Sequence, residues 1–198
     1  MLTQEKIKTN YVMFTKLLEK YGCYSAEMMD DIGENIMNCS FAMNEDSGSA
    51  YQGSMIDVVV NTLCKIARNL NENGVTENLK VNNYILMRVL LLQHLAKAQI
   101  FVPQRESWKL KKGMLYDFND KLEAVLKLGE RTLYLCQKYD IKLSEEEFEA
   151  IKCIDKTEDK TDYMLSPLCA IVKYANVMTA IECRNKQKSK NKKETLED

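Results

Sequence analysis

The residues able to do chemistry are few. A single histidine, His94, lies in the run YILMRVLLLQHLAKAQIF, directly after Gln93 and three residues before Lys97. An imidazole can act as a general base or a metal ligand, but one histidine in 198 residues excludes any centre built from several of them. On so apolar a helix, a lone histidine reads as a hydrogen-bonded core or pocket residue. Seven cysteines (Cys23, Cys39, Cys64, Cys136, Cys153, Cys169 and Cys183) are scattered through apolar helical patterns without a C-x-x-C pair. They read as reduced core thiols, and none has a recognisable nucleophile motif around it. The acidic clusters Asp30-Asp31, Glu145-Glu146-Glu147 and Glu158-Asp159 could in principle hold magnesium, but helix starts and solvated loops account for all three. The stretch GSAYQG lacks both the Lys-Ser/Thr and the strand-to-helix setting of a phosphate loop. No metal and no cofactor are therefore expected.

The charge balance is as plain. With 28 basic and 29 acidic side chains the chain has no overall field to attract nucleic acid or an anionic membrane. Lys186, Lys188, Lys190, Lys192 and Lys193 allow weak, salt-sensitive contact with a phosphate backbone, but no aromatic alternates with them to stack bases. No apolar run reaches the ~18–20 residues of a membrane helix, and MLTQEKIKTN has no secretory stretch, so a cytosolic protein without membrane contact is expected.

Long helices must position these residues, because only Pro103, Pro167 and seven glycines interrupt the chain. The spacing predicts helices over about Gln4 to Tyr21 and Ser25 to Met37, then an irregular loop from Cys39 to Ser54. Two strong helices follow, Met55 to Asn71 and Leu79 to Ile100, separated by Asn73-Gly74. The second is apolar on nearly every side and should be central. Ser107 to Asp117 suggests a small β-hairpin around Gly113. Leu126 to Tyr139 and Ser144 to Asp155 are predicted helices, the latter opened by a capping box of Ser144 and Glu147. After the charged loop DKTEDKTDY, Ser166-Pro167 opens a last helix to about Arg184, followed by a polar tail expected to be disordered. The expected fold is all-α with a small hairpin insertion. Residues 1–38 form a helical extension packed on the core, 39–185 the main domain and 186–198 the tail.

Four pieces, taken in order, resemble one family. AYQGSMIDVVVNTL is similar to the Y-x-G-G-L-x-x-H-S stretch that opens the core of the HD-domain metal phosphohydrolases, and RVLLLQHLAKAQIF to their L-L-H-D-L-x-K helix. KLGERTLYLCQKYDIKLSEEEFEAI resembles the family's G-H-G-E-K-S helix and the E-E-E-x-x-A-I helix after it. SPLCAIVKYANVMTAI resembles the closing P-L-A-x-x-x-H-x-A-D helix. The similarity covers about Ala50 to Ile181 and looks closest to small HD-like proteins of bacterial viruses and mobile elements. It implies an HD-like helical bundle.

The same resemblance implies that the metal site is gone. Val58 stands at the first ligand histidine, Gln93 and His94 at the paired His-Asp, Leu128 and Ile154 at later histidines, and Asn176 at the final aspartate. Aliphatic side chains cannot coordinate a cation, and neutral amides are poor ligands for transition metals. A catalytically inactive binding or structural protein is the expectation, with a protein partner, viral or host, foremost. Tyr51, Gln52, Arg105, Trp108 and Tyr116 are candidate partner contacts, being aromatics and polar groups of the kind that dominate interfaces. The alternative is a nucleotide or small ligand bound without cleavage in the former cleft by Asp57, Gln93, His94, Lys97 and Asn176. A divergent metal-dependent hydrolase is the third reading.

Overall fold

The computed structural model describes residues 2–155 and 165–197, the side chains of 190–197 excepted. The charged loop with Glu158-Asp159, and the side chains of Lys190, Lys192 and Lys193, lie outside the described residues. The chain is mostly helical, with one two-stranded antiparallel hairpin among the described residues.

Helix α1 (Gln4–Lys20) starts at Thr3, whose hydroxyl accepts from the Lys6 N–H, and buries Ile7, Phe14 and Leu18. Helix α2 (Ala26–Asn38) is capped by Ser25, which accepts from Met28 N as the sequence suggests, and buries Met28, Ile32 and Ile36. The expected loop then follows, containing one 3-10 turn at Glu45–Ser47. Gly48 in this loop has φ +70°, and a Cβ there would stand 2.2 Å from the Cys183 carbonyl oxygen. The missing side chain lets the loop touch the last helix.

The expected helix from Met55 forms as α3 (Ser54–Val58) and α4 (Cys64–Glu72), joined by a π-helical turn at Val59–Leu63. A short α5 (Val75–Asn78) comes next. The central helix begins later than its apolar pattern implies, because Lys80 adopts a positive φ of 56° and Asn82 caps the N-terminus. It is also interrupted. Helix α6 (Asn83–Leu92) stops before Gln93, and after a turn α7 (Lys97–Ile100) continues. Periodicity cannot reveal this break, since the turn residues are as buried as the helices beside them. Helix α6 packs against α1, α4, α10 and α11 and buries Leu86, Met87, Val89, Leu90, Leu91 and Leu92.

The hairpin strands are β1 (Phe101–Pro103) and β2 (Tyr116–Phe118), in antiparallel register with Phe101 opposite Phe118. The Trp108 segment, expected as a strand, forms the helical turn α8 (Ser107–Leu110) between them. The Lys109 and Leu110 N–H groups donate to the Glu106 carbonyl and the Lys111 N–H to that of Ser107, local bonds that take the place of a partner strand. Helices α9 (Leu128–Lys138) and α10 (Glu145–Lys152) follow, and the Ser144–Glu147 capping box is present. The last helix, α11, spans Pro167–Glu197 and so passes the expected end at Arg184. No glycine or proline follows Pro167 to stop it, and Lys186 pairs with Glu182 one turn back.

One expectation for the cysteines is corrected. Cys153, in the 3-10 turn after α10, and Cys169, in the first turn of α11, are joined as a disulfide with Cα atoms 6.6 Å apart. The other five thiols are free and buried. Among the described residues no helix is long and apolar enough to cross a membrane.

Candidate functional site

The break between α6 and α7 shapes the site. It turns Gln93 and His94 toward α11, where Asn176 waits 83 residues further along the chain. Asn176 Nδ2 donates to Gln93 Oε1 at 2.8 Å, and Gln93 Nε2 donates back to Asn176 Oδ1 at 3.2 Å. His94 Nε2 lies 3.3 Å from that same Oδ1. Thr132 of α9 closes the group by donating its hydroxyl to the Gln93 carbonyl. The α6–α7 turn, α9 and α11, distant in sequence, thus meet in a polar knot at the edge of the apolar core.

His94 is held neutral. Burial pushes its pKa well below the usual histidine value, the Lys97 charge pushes the same way, and the Asn176 hydrogen bond opposes both. Its Nδ1 is buried without a partner. The ring meets the Phe41 ring edge-on, centroids 4.7 Å apart. Lys97 is 7% exposed, donates from Nζ to the Phe41 carbonyl at 2.6 Å and sits 3.5 Å from the Phe41 ring centroid. Burial pulls its pKa down to about 7 against the weaker opposing influence of Cys39 and Cys183. No carboxylate pairs with it among the described residues. Lys97 lines a cleft of about 750 Å³ together with Ser47, Ser49, Lys112 and Arg184.

Four of the five residues assigned to one cleft therefore cluster, Gln93, His94 and Asn176 directly and Lys97 through Phe41. Asp57 does not join them. Its Oδ1 accepts from Asn10 at 2.9 Å and Asn61 at 2.8 Å, and its Oδ2 from the Tyr51 hydroxyl at 2.7 Å. This second network borders a different groove, along with Met178, Ile181 and Glu182. Asp57 is only partly buried, whereas Val58 beside it is in the core, and the Asp57 carboxylate is taken up by Asn10, Asn61 and Tyr51.

Tyr51 is spent on Asp57, with its pKa raised by burial first and by that carboxylate second. Gln52 is exposed and donates to Asn38 Oδ1 at 2.8 Å. Arg105 is exposed on the loop after β1. Trp108 is 52% exposed, with its indole N–H on Glu106 at 2.6 Å and Lys112 above its ring. Tyr116, on β2, is half-buried beside Ser40. Of the partner candidates, Gln52, Arg105 and Trp108 are exposed, whereas Tyr51 and Tyr116 are partly buried.

Sequence reasoning missed Phe41, which links His94 to Lys97; it lay in a stretch read only as a loop. It also missed Lys112 and Arg184, ordinary surface cations until the fold brings them onto the cleft that Lys97 lines. The two acidic clusters among the described residues carry structural duties. Asp31 binds Lys138 at 2.6 Å and the Tyr139 hydroxyl at 2.7 Å, and Glu147 binds Arg88. Among the described residues, no three of His, Cys, Asp or Glu converge on a point where a metal ion would sit. Burial lifts the Cys39 and Cys64 thiols to about 12, which leaves them as packing groups and not nucleophiles. No protein-family model, curated protein or solved structure matches this chain.

Proposed function

We propose that this chain is a catalytically inactive HD-like domain that works by binding, as a recognition or structural part of a larger complex, in a cytosol or a viral particle. The observation that carries the reading is the reciprocal bond between Gln93 and Asn176. At two positions where the resemblance puts an aspartate or histidine on a cation, two neutral amides use their oxygens and N–H groups on one another. An amide oxygen already accepting hydrogen bonds has little left for a cation, and the neighbouring His94 is kept neutral and buried. Aliphatic Val58, Leu128 and Ile154 at the other family positions agree with this reading. Trp108 and Arg105, both outward, are the residues of the protein-contacting face.

The test is a metal and turnover analysis of the whole chain. Dialysis against Mn²⁺, Ni²⁺ and Zn²⁺ should leave less than one ion per chain, and nucleoside mono-, di- and triphosphates should release no phosphate. A stoichiometric ion together with phosphate release rejects the proposal.

A second reading, favoured by Lys97, keeps a ligand in the cleft. A buried ammonium without a carboxylate among the described residues, in a cleft also lined by Lys112 and Arg184, suits a nucleotide or other phosphate-bearing molecule that is held and not cleaved. A nucleotide at ~100-fold its Kd would add about 2.7 kcal/mol of stability. Thermal unfolding of wild-type and Lys97→Met protein across a nucleotide series checks it, and no shift with any nucleotide rejects this second reading alone.

A further inference from the structure

A second buried cation without a counter-ion among the described residues lies elsewhere, at Arg131 of α9. Its side chain belongs to a residue only 6% exposed, and no carboxylate pairs with it among the described residues. A guanidinium carries five N–H donors. One nitrogen of Arg131 donates to the Ala124 carbonyl, while Nε is buried with no partner at all. A buried charge in this condition is costly unless something supplies the opposite charge and the missing acceptors.

Arg131 lines a cavity of about 670 Å³ beneath residues 119–127. The walls are mostly hydrocarbon, from Ile100, Phe101, Phe118, Leu122, Leu126 and Leu128. Two acids border it, and neither serves Arg131. Asp155 accepts the Gly129 N–H at 2.8 Å and the Glu130 N–H at 3.1 Å, so both its oxygens are committed to the N-terminus of α9. Asp120 is exposed, as is Lys127, so the exposed part of the lining carries one charge of each sign.

Size, wall and charge together define an occupant. Small-molecule sites of ~300–1,000 Å³ are largely apolar with a few placed polar groups, and the planar fork of arginine matches a carboxylate through two parallel N–H···O bonds. Phosphate suits this cavity poorly, since it needs more donors than one guanidinium among hydrocarbon walls provides. We propose that the cavity beneath residues 119–127 binds a small apolar carboxylic acid, with its carboxylate on Arg131 and its hydrocarbon body against Phe101, Leu122 and Leu126. The site is separate from the Gln93–Asn176 knot and stands whether or not that region has lost catalysis.

Isothermal titration of the full chain with decanoate, and in parallel with decanol and inorganic phosphate, tests the proposal. Decanoate should bind one per chain and at least about tenfold more tightly than decanol, a difference of ~1.4 kcal/mol. Arg131→Met should remove that preference and leave decanol binding unchanged. Phe118→Ala, at a rim position where the side chain is 61% exposed and the fold tolerates loss, should weaken both ligands. Absence of saturable decanoate binding, equal affinity for acid and alcohol, or displacement of decanoate by equimolar phosphate overturns the proposal. Should Arg131→Met fail to fold, the wild-type ratio of acid to alcohol decides by itself.

Discussion

Arg88 of the central helix and Glu147 of α10 form one buried ion pair, Nε to Oε1 at 2.5 Å, that ties four parts of the chain together. The remaining Arg88 nitrogens donate to the carbonyls of Tyr21 and Gly22 after α1 and of Lys142 before α10. Glu147 has a second duty, because its Oε2 accepts the Ser144 N–H at 2.8 Å and closes the capping box. The pair is a clamp between the α1–α2 corner, the central helix and the α9–α10 corner.

The clamp is expected to dominate stability in this region. Removing one partner of a buried ion pair strands the other, which costs ~3–5 kcal/mol, whereas losing a helix cap alone costs ~1 kcal/mol. Glu147→Ala should therefore lower the unfolding free energy several times more than Ser144→Ala. Urea denaturation of the two variants measures the difference, and equal losses would mean that the cap and not the ion pair is what matters.

Gly48 is a second such point, smaller in scale. Its left-handed backbone and the approach of the Cys183 carbonyl leave no room for a methyl group. Gly48→Ala should lower stability by more than the ~1 kcal/mol of ordinary strain, because the loop must also lift from α11. Thermal unfolding of this variant beside Gly74→Ala is the control, since at Gly74 the φ is equally positive but a Cβ meets nothing.

What could be read from the sequence was local. Ser25, Ser144 with Glu147, and Ser166-Pro167 announce helix starts within four residues of chain, and all three appear as written. The turn at Gln93–Ala96 could not be read, because every residue in it is buried and the apolar pattern runs through unbroken. Nor could the partnership of Cys153 with Cys169, set by how two separate helices end and begin. Gln93 and Asn176 could be matched only through the family resemblance, while Phe41, Lys112 and Arg184 gave no signal, since a loop aromatic and two surface cations are ordinary until a fold gathers them.

The single histidine makes the polar knot directly observable. With one imidazole in the chain, its proton NMR signals need no assignment by mutation. His94 is held neutral by burial, so its signals should not move through pH 6.5, where a free imidazole titrates. Asn176→Asp places a carboxylate against Nε2, which favours the imidazolium and should raise the midpoint. A wild-type midpoint near the free value would mean that His94 is open to water and that the knot does not exist as described.

Lys97 should leave its own mark on stability against pH. Its folded pKa is about 7 and its unfolded pKa is that of an ordinary lysine, near ~10.4, so between these values the unfolded chain binds the extra proton. Stability then rises with pH across that window, at up to ~1.4 kcal/mol per unit, while below pH 7 both states are charged and the full penalty of burying the ammonium is present. The comparison with Lys97→Met isolates this contribution, because everything else that titrates is shared. Between pH 7 and 8.5, below the range in which the buried thiols at about 12 ionise, wild type should gain roughly 1–2 kcal/mol relative to the variant. A phosphate-bearing ligand in the cleft would hold the ammonium charged and flatten the gain. Unfolding curves at pH 6, 7, 8 and 8.5, with and without ATP, therefore read both the burial of Lys97 and the occupancy of its cleft; a difference that does not change with pH in the absence of ligand would show an amine still in contact with water.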